Sequence, residues 1–136
     1  MAANVLVDAS FVVALLYRPD AHHAWAAAQS ANFARPWLTC EAALSEAFHL
    51  LGTRGTSALP ALLGRGSLRL AFDLGDQLEP VLKLMQKYAN LPMSLADACL
   101  VRMTEVFSDS LLLTTDADFR VYRRHSRQAI PCLLPD

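Results

Sequence analysis

The chain has 136 residues and a formal charge of −1 from 12 basic and 13 acidic side chains, so it lacks the strongly basic balance of a generic nucleic-acid binder, although local patches of opposite sign remain open. Its length points to one domain, 1–136, with a core that needs no disulfide or structural metal. A hydrophobic content of 54% against 18% charged is apolar for a soluble domain, so some of that surface is expected to be covered by a partner or a second copy.

Asn4 to Val7 is a short apolar run and predicts a buried strand. Residues 9–17 predict a helix stopped by Arg18-Pro19-Asp20, and residues 21–32 an alanine-rich helix. A second strand is expected over 36–39. Residues 40–51 are amphipathic, with Gly52 placed as a C-cap. A shorter helix is expected over 57–65, a weakly alternating strand over 68–72 and a helix over 76–89, broken at Asn90-Leu91-Pro92. The helix over 94–107 is followed by a strand at 111–113, a short helix at 117–122 and a last strand at 130–134 interrupted by Pro131. Strands alternating with helices predict an α/β fold with a mainly parallel sheet of about four to five strands flanked by helices.

Three cysteines, Cys40, Cys99 and Cys132, are widely spaced and form no CxxC pair. They read as reduced, mostly buried thiols of a cytoplasmic protein. The N-terminal segment lacks a basic leader and its apolar run is interrupted by Asp8, so neither a signal peptide nor a membrane span is expected.

Four acids carry the chemistry. Asp8 directly follows the first strand and precedes a helix, where an aspartate serves either as an N-cap or as a ligand at the carboxyl edge of a parallel sheet. Asp116 repeats this arrangement after Leu111-Leu112-Leu113, and parallel strands would bring both acids to the same edge. Asp97 lies in the helix that starts at Ser94. At ~100° per residue it falls in an apolar arc with Leu100, Val101, Ala96 and Met103, a costly place for an unpartnered carboxylate. A capping-box pairing with Ser94 accounts for it equally well. Glu46 lies within about 60° of Leu50 and Ala43 on its helix, which puts it at the border of the core face. Glu41, in the first turn, complements the helix dipole. Asp118 is either a water-mediated metal contact or an ordinary first-turn acid.

Carboxylates a few ångströms apart repel unless protonated or bridged by a cation. Oxygen donors select Mg²⁺ or Mn²⁺, and no His/Cys spacing suggests zinc: His22, His23, His49 and His125 read as surface residues. Such a cation lowers the pKa of a bound water and neutralises charge on a scissile phosphate. Arg120, Arg123, Arg124 and Arg127, with Tyr122 among them, follow Asp116 closely. They are either phosphate contacts or a solvated face.

The segments VLVDAS (5–10), ALSEAFHLL (43–51), SLADACLV (94–101) and LLTTDADF (112–119), in this order and each with an acid, resemble the PIN-domain ribonucleases, particularly the VapC-like toxins of toxin–antitoxin modules. The resemblance spans nearly the whole chain. It implies that Asp8, Glu46, Asp97 and Asp116 form an acidic Mg²⁺ (or Mn²⁺) site, joined by Asp118. It further implies endoribonuclease activity on single-stranded or structured RNA, leaving a 3′-hydroxyl and a 5′-phosphate, a homodimer, and inhibition by a cognate antitoxin. Residues 52–67 are less typical, and their Leu59, Leu62 and Leu63 suit either a partner surface or the core. A haloacid-dehalogenase-like phosphatase would need DxD where Asp8-Ala9-Ser10 stands. A receiver domain would need a lysine after a late strand, and the only lysines are Lys83 and Lys87. A PIN-like scaffold that binds RNA or protein without cutting is the remaining alternative.

Overall fold

Leu6 in the first strand and Leu112 in the fourth have no exposed surface, and neighbours on the same strands turn to the opposite face. Strands covered on both faces are what an all-parallel sheet requires. The computed structural model describes residues 2–136 and realises that sheet. Strands β1 (Asn4–Val7), β2 (Trp37–Thr39), β3 (Leu68–Leu70), β4 (Ser110–Leu113) and β7 (Cys132–Leu133) run in the order β3-β2-β1-β4-β7, every pair parallel. The five-stranded parallel sheet is the one the element order predicts.

Helices α1 (Ala9–Leu16), α2 (His23–Asn32), α3 (Glu41–Leu51), α4 (Gly55–Gly64), α5 (Leu78–Lys87) and α6 (Leu95–Val106) flank the sheet. Successive side chains of a strand point to opposite faces. Val5 and Val7 of β1 therefore pack with Phe11, Ala26, Leu59 and Leu62 of α1, α2 and α4, whereas Leu6 packs with Val81, Leu100 and Met103 of α5 and α6. Phe11 stands edge-on to both Trp25 and Trp37, at centroid distances of 5.9 and 5.6 Å. Helix α3 serves both cores, with Ala43 in one and Ala47 and Leu51 in the other.

Several local details settle or depart from the sequence expectation. Leu59 and Leu62 are buried and Leu63 is half-buried against the same cluster, so the apolar bias of 52–67 is core packing. Helix α4 begins two residues early because a 3-10 turn at Gly52–Arg54 leads into it, with Gly52 at φ +57° as the C-cap of α3. The expected helix at 117–122 is a 3-10 turn, Ala117–Arg120, and a two-stranded antiparallel hairpin follows it: β5 (Arg123–Arg124) with β6 (Gln128–Ala129). The hairpin turn puts His125 and Ser126 at φ +49° and +68°, a conformation that these residue types do not advertise in a sequence.

Candidate active site at the carboxyl edge of the sheet

Parallel pairing in register sets up the site. Val7 of β1 lies opposite Leu113 of β4, so the next residues, Asp8 and Thr114, leave the sheet side by side at its carboxyl edge. The Thr114 hydroxyl donates a short hydrogen bond to Asp8 Oδ2. The other oxygen, Oδ1, accepts from the Ser10 hydroxyl at 2.7 Å and from the Phe11 amide at 2.9 Å, which makes Asp8 the N-cap of α1. Ser10 Oγ also accepts the Thr115 amide at 2.9 Å, and Thr114 Oγ1 accepts the Asp116 amide at 2.9 Å. One hydroxyl network thus fastens the loop carrying Asp116 to the end of β1. Thr114 does not stand out in the sequence because its contact with Asp8 depends on strand register, as does the Ser10 contact with the Thr115 amide.

Asp116 caps the 3-10 turn, its Oδ1 accepting the Asp118 amide at 2.9 Å. Asp97 enters from α6. The capping box predicted as one account of it is present: Ser94 Oγ accepts the Asp97 amide at 3.0 Å, and Asp97 Oδ2 accepts the Ser94 amide at 3.4 Å. The same Oδ2 accepts the hydroxyl of Tyr122 at 3.2 Å. Tyr122 is fully buried, braced edge-on by Phe119 and Tyr88 at 5.5 and 5.1 Å. Asp97 therefore serves as a helix cap and is held by Tyr122 as well.

The electrostatics tie these acids together. Burial pushes the Asp8 carboxyl up from 3.8 to about 6, against the lowering pull of the Thr114, Phe11 and Ser10 hydrogen bonds, and the charge of Asp116 adds to the rise. Asp97 is likewise raised, by burial and then by Asp116, while Ser94 and Tyr122 pull it down. Tyr122 is raised above its ordinary value by burial first, then by Asp97, with smaller pushes from Asp118 and Asp116. Asp116 is thus the member that couples to both Asp8 and Asp97. The two ion pairs among the described residues, Lys83–Glu79 and Arg102–Glu105, lie outside this group.

Other expected residues are placed differently. Glu46 is exposed rather than at the core border, and no hydrogen bond or ion pair engages it among the described residues. Arg123 and Arg124 serve main-chain carbonyls: Arg123 Nη1 donates to Arg120 O at 2.8 Å, and Arg124 Nη1 to Thr104 O at 2.8 Å and Ser108 O at 3.1 Å. Only Arg120 and Arg127 of that run are exposed. His49 and His125 are exposed; His23 is half-buried, with Nδ1 2.8 Å from Ala14 O.

The PIN domain family matches residues 5–124. The chain belongs to the PIN domain family. Among solved structures, the chain is similar to the Mycobacterium tuberculosis toxin VapC20, described as cleaving the sarcin–ricin loop, at 24% identity and a TM-score of 0.78, covering 87% of this chain and 94% of that one. That similarity supports the fold of this PIN domain. No curated protein sequence matches the chain.

A divalent cation is general to PIN nucleases. Among the described residues, no three His, Cys, Asp or Glu side chains stand close enough together to hold one as they are placed. Their chemistry nevertheless fits a hard cation. The cluster offers oxygen donors only, it carries mutual repulsion that a cation would relieve, and Asp97 Oδ1 and Asp116 Oδ2 accept no hydrogen bond among the described residues.

Removing the Tyr122 hydroxyl tests the bracing of Asp97. If the cluster is the metal site of an RNA-cleaving enzyme, Tyr122→Phe is expected to keep the fold and to lower RNA cleavage about tenfold, as loss of a partner behind a ligand commonly does. Circular dichroism together with a cleavage time course would check both halves.

Proposed function

We propose that this PIN domain is a Mg²⁺- or Mn²⁺-dependent endoribonuclease and the toxin of a toxin–antitoxin module. The observation that carries the proposal is that Asp8 and Asp116 follow neighbouring strands at the carboxyl edge of a parallel sheet, that the charge of Asp116 raises both Asp8 and, from α6, Asp97, and that none of the three is in an ion pair among the described residues. That edge is where parallel α/β folds bind ligands.

In this account Asp8, Asp97 and Asp116 hold the cation, with Glu46 and Asp118 completing the shell directly or through water. When bound, the cation supplies an activated water and neutralises charge on the scissile phosphate. The chain's own residues fix the donors. Thr114 and Ser10 hold both oxygens of Asp8, Tyr122 and Ser94 hold one oxygen of Asp97, and Asp116 is fixed through the Asp118 amide. Each restraint removes rotamer freedom in advance, so less ordering remains when substrate arrives. Exposed Arg120 and Arg127 are offered as phosphate contacts.

Several features support partners. Leu78 and Leu82 on α5 are 46% and 44% exposed, and Leu50 on α3 is 53% exposed one turn from Glu46, so apolar surface remains for a homodimer and for an antitoxin beside the site. No helix among the described residues is long and apolar enough to cross a membrane.

The test is cleavage of a purified stem–loop RNA by the purified chain. Activity is expected with Mg²⁺ or Mn²⁺, to stop in EDTA, and to leave 5′-phosphate and 3′-hydroxyl ends. The exposure of Glu46 favours one second reading, a PIN scaffold that binds RNA without cutting. Retained binding with no cleavage at any metal concentration would establish that reading instead.

A further inference from the structure

A cleft of about 620 Å³ opens at the carboxyl edge of the sheet, beside the acidic cluster rather than within it. Strand register fixes that position. Leu6 of β1 pairs with Leu38 of β2, so Cys40 leaves β2 next to Asp8, and Thr39 Oγ1 donates to Val7 O at 2.8 Å. Cys40 and Glu41 form one wall, Leu70, Phe72 and Asp73 at the end of β3 form another, and Cys99, two residues beyond Asp97 on α6, lines a third side. Neighbouring strands stand about 4.8 Å apart, so a cleft between the ends of β2 and β3 lies roughly 5–10 Å from the end of β1. Its volume is that of a small-molecule site, for which ~300–1,000 Å³ is usual.

The lining selects the occupant. Phe72 is half-buried, packed against the core and also lining the cleft, so it offers a held aromatic surface on which a planar base can stack. Glu41 and Asp73 are exposed, neither is in an ion pair, and no basic side chain lines the cleft among the described residues. Asp73 commits only Oδ1, to the Asp76 amide at 3.4 Å. Ionised carboxylates only accept hydrogen bonds, so this lining repels a phosphate and attracts a group edged with donors. Guanine alone among the RNA bases offers two adjacent donors, N1–H and N2–H₂. Adenine and cytosine set an acceptor beside their amino group, and uracil flanks its single N–H with carbonyls. We propose that the cleft is a base subsite for single-stranded RNA, taking a guanine next to the scissile phosphate, with its ring on Phe72 and its N1–H and N2–H₂ donating to the carboxylates of Glu41 and Asp73. The words "scissile phosphate" rest on the reading of the acidic cluster as an RNA-cleaving site; the guanine preference rests on the cleft.

The experiment titrates the folded chain with guanosine, which carries a base and no phosphate, so the cleft is read apart from metal and cleavage. In amide NMR spectra, guanosine is expected to shift Ala42, Phe72 and Gly75 saturably, and inosine, which lacks N2–H₂, to bind about tenfold more weakly. The near-isosteric double variant Glu41→Gln/Asp73→Asn is expected to lose that discrimination, and Phe72→Leu to weaken both nucleosides. With Mg²⁺ and a pool of random single-stranded RNA, the cut ends are expected to carry guanine at one fixed position, a bias absent in the double variant. Equal binding of the two nucleosides, shifts confined to other residues, or discrimination that survives in the double variant would overturn the proposal. Cleavage with no base bias would overturn it too, with the nuclease reading intact. Guanosine bound in the cleft of a chain that cuts no RNA would uphold the subsite and remove the nuclease reading. Shifts of the same amides by an arginine-containing peptide, with none by guanosine, would assign the cleft to a protein partner instead.

Discussion

Asp116→Asn is expected to lower RNA cleavage by more than about a hundredfold, since loss of a group one step behind a metal ligand already costs ~10–100-fold. The fold should survive. An asparagine oxygen can still accept the Asp118 amide, as Asp116 Oδ1 does at 2.9 Å, and Asp116 is only half-buried. The loss would come from charge. Asp116 is the acid whose field reaches both Asp8 and Asp97, so neutralising it removes a donor and weakens the pull of the whole cluster on a cation. A time course on one RNA, with the melting temperature of each protein measured in the same buffer, separates loss of activity from loss of fold. Cleavage within a few-fold of the unmodified chain would remove Asp116 from the site.

Asp8→Asn is expected to stabilise the metal-free chain above pH 6. Folded, the Asp8 carboxyl keeps its proton to about pH 6, against an ordinary value of 3.8. Between those limits the folded chain binds more protons than the unfolded one, so stability falls as pH rises through the window. The shift corresponds to about 3 kcal/mol by neutral pH. Asparagine carries no charge and escapes this cost. It gives back part of the gain, because its amide must be oriented to accept from Ser10 and the Phe11 amide while its NH₂ turns to Thr114. The net expectation is roughly 1–2 kcal/mol, or several degrees in melting temperature, at pH 7.5, shrinking towards zero at pH 4. Melts of both proteins in EDTA across that range would decide. A variant several degrees less stable at every pH would mean that the capping hydrogen bonds of Asp8 outweigh the cost of burying its charge.

Much of the fold was legible because it rests on local signals. The apolar runs at 4–7 and 111–113 end in polar residues, and Gly52 ends an amphipathic helix with the positive φ that glycine tolerates. Asp97 was legible for two reasons that both hold, a capping box with Ser94 and a carboxylate among apolar neighbours. Glu46 was harder. Its phase was judged against Leu50, and Leu50 is itself 53% exposed, so the apolar arc around it was drawn too far towards solvent. Thr114 and Tyr122 were not legible as supports, since they reach the acids through strand register or from 25 residues away, and Ser10 was not legible as a tie to the Asp116 loop, since its contact with the Thr115 amide depends on the same register. The arginine run showed the limit of counting charge. Two of its four members spend their hydrogen bonds on carbonyls at the end of α6 and of the 3-10 turn.

The account stands on the acidic cluster being a divalent-metal site, and calorimetric titration of the metal-free chain with Mn²⁺ measures that directly. Saturable binding by the unmodified chain, lost or greatly weakened in Asp116→Asn, is the predicted result. Binding of equal strength in both proteins, or none in the unmodified chain, would contradict it.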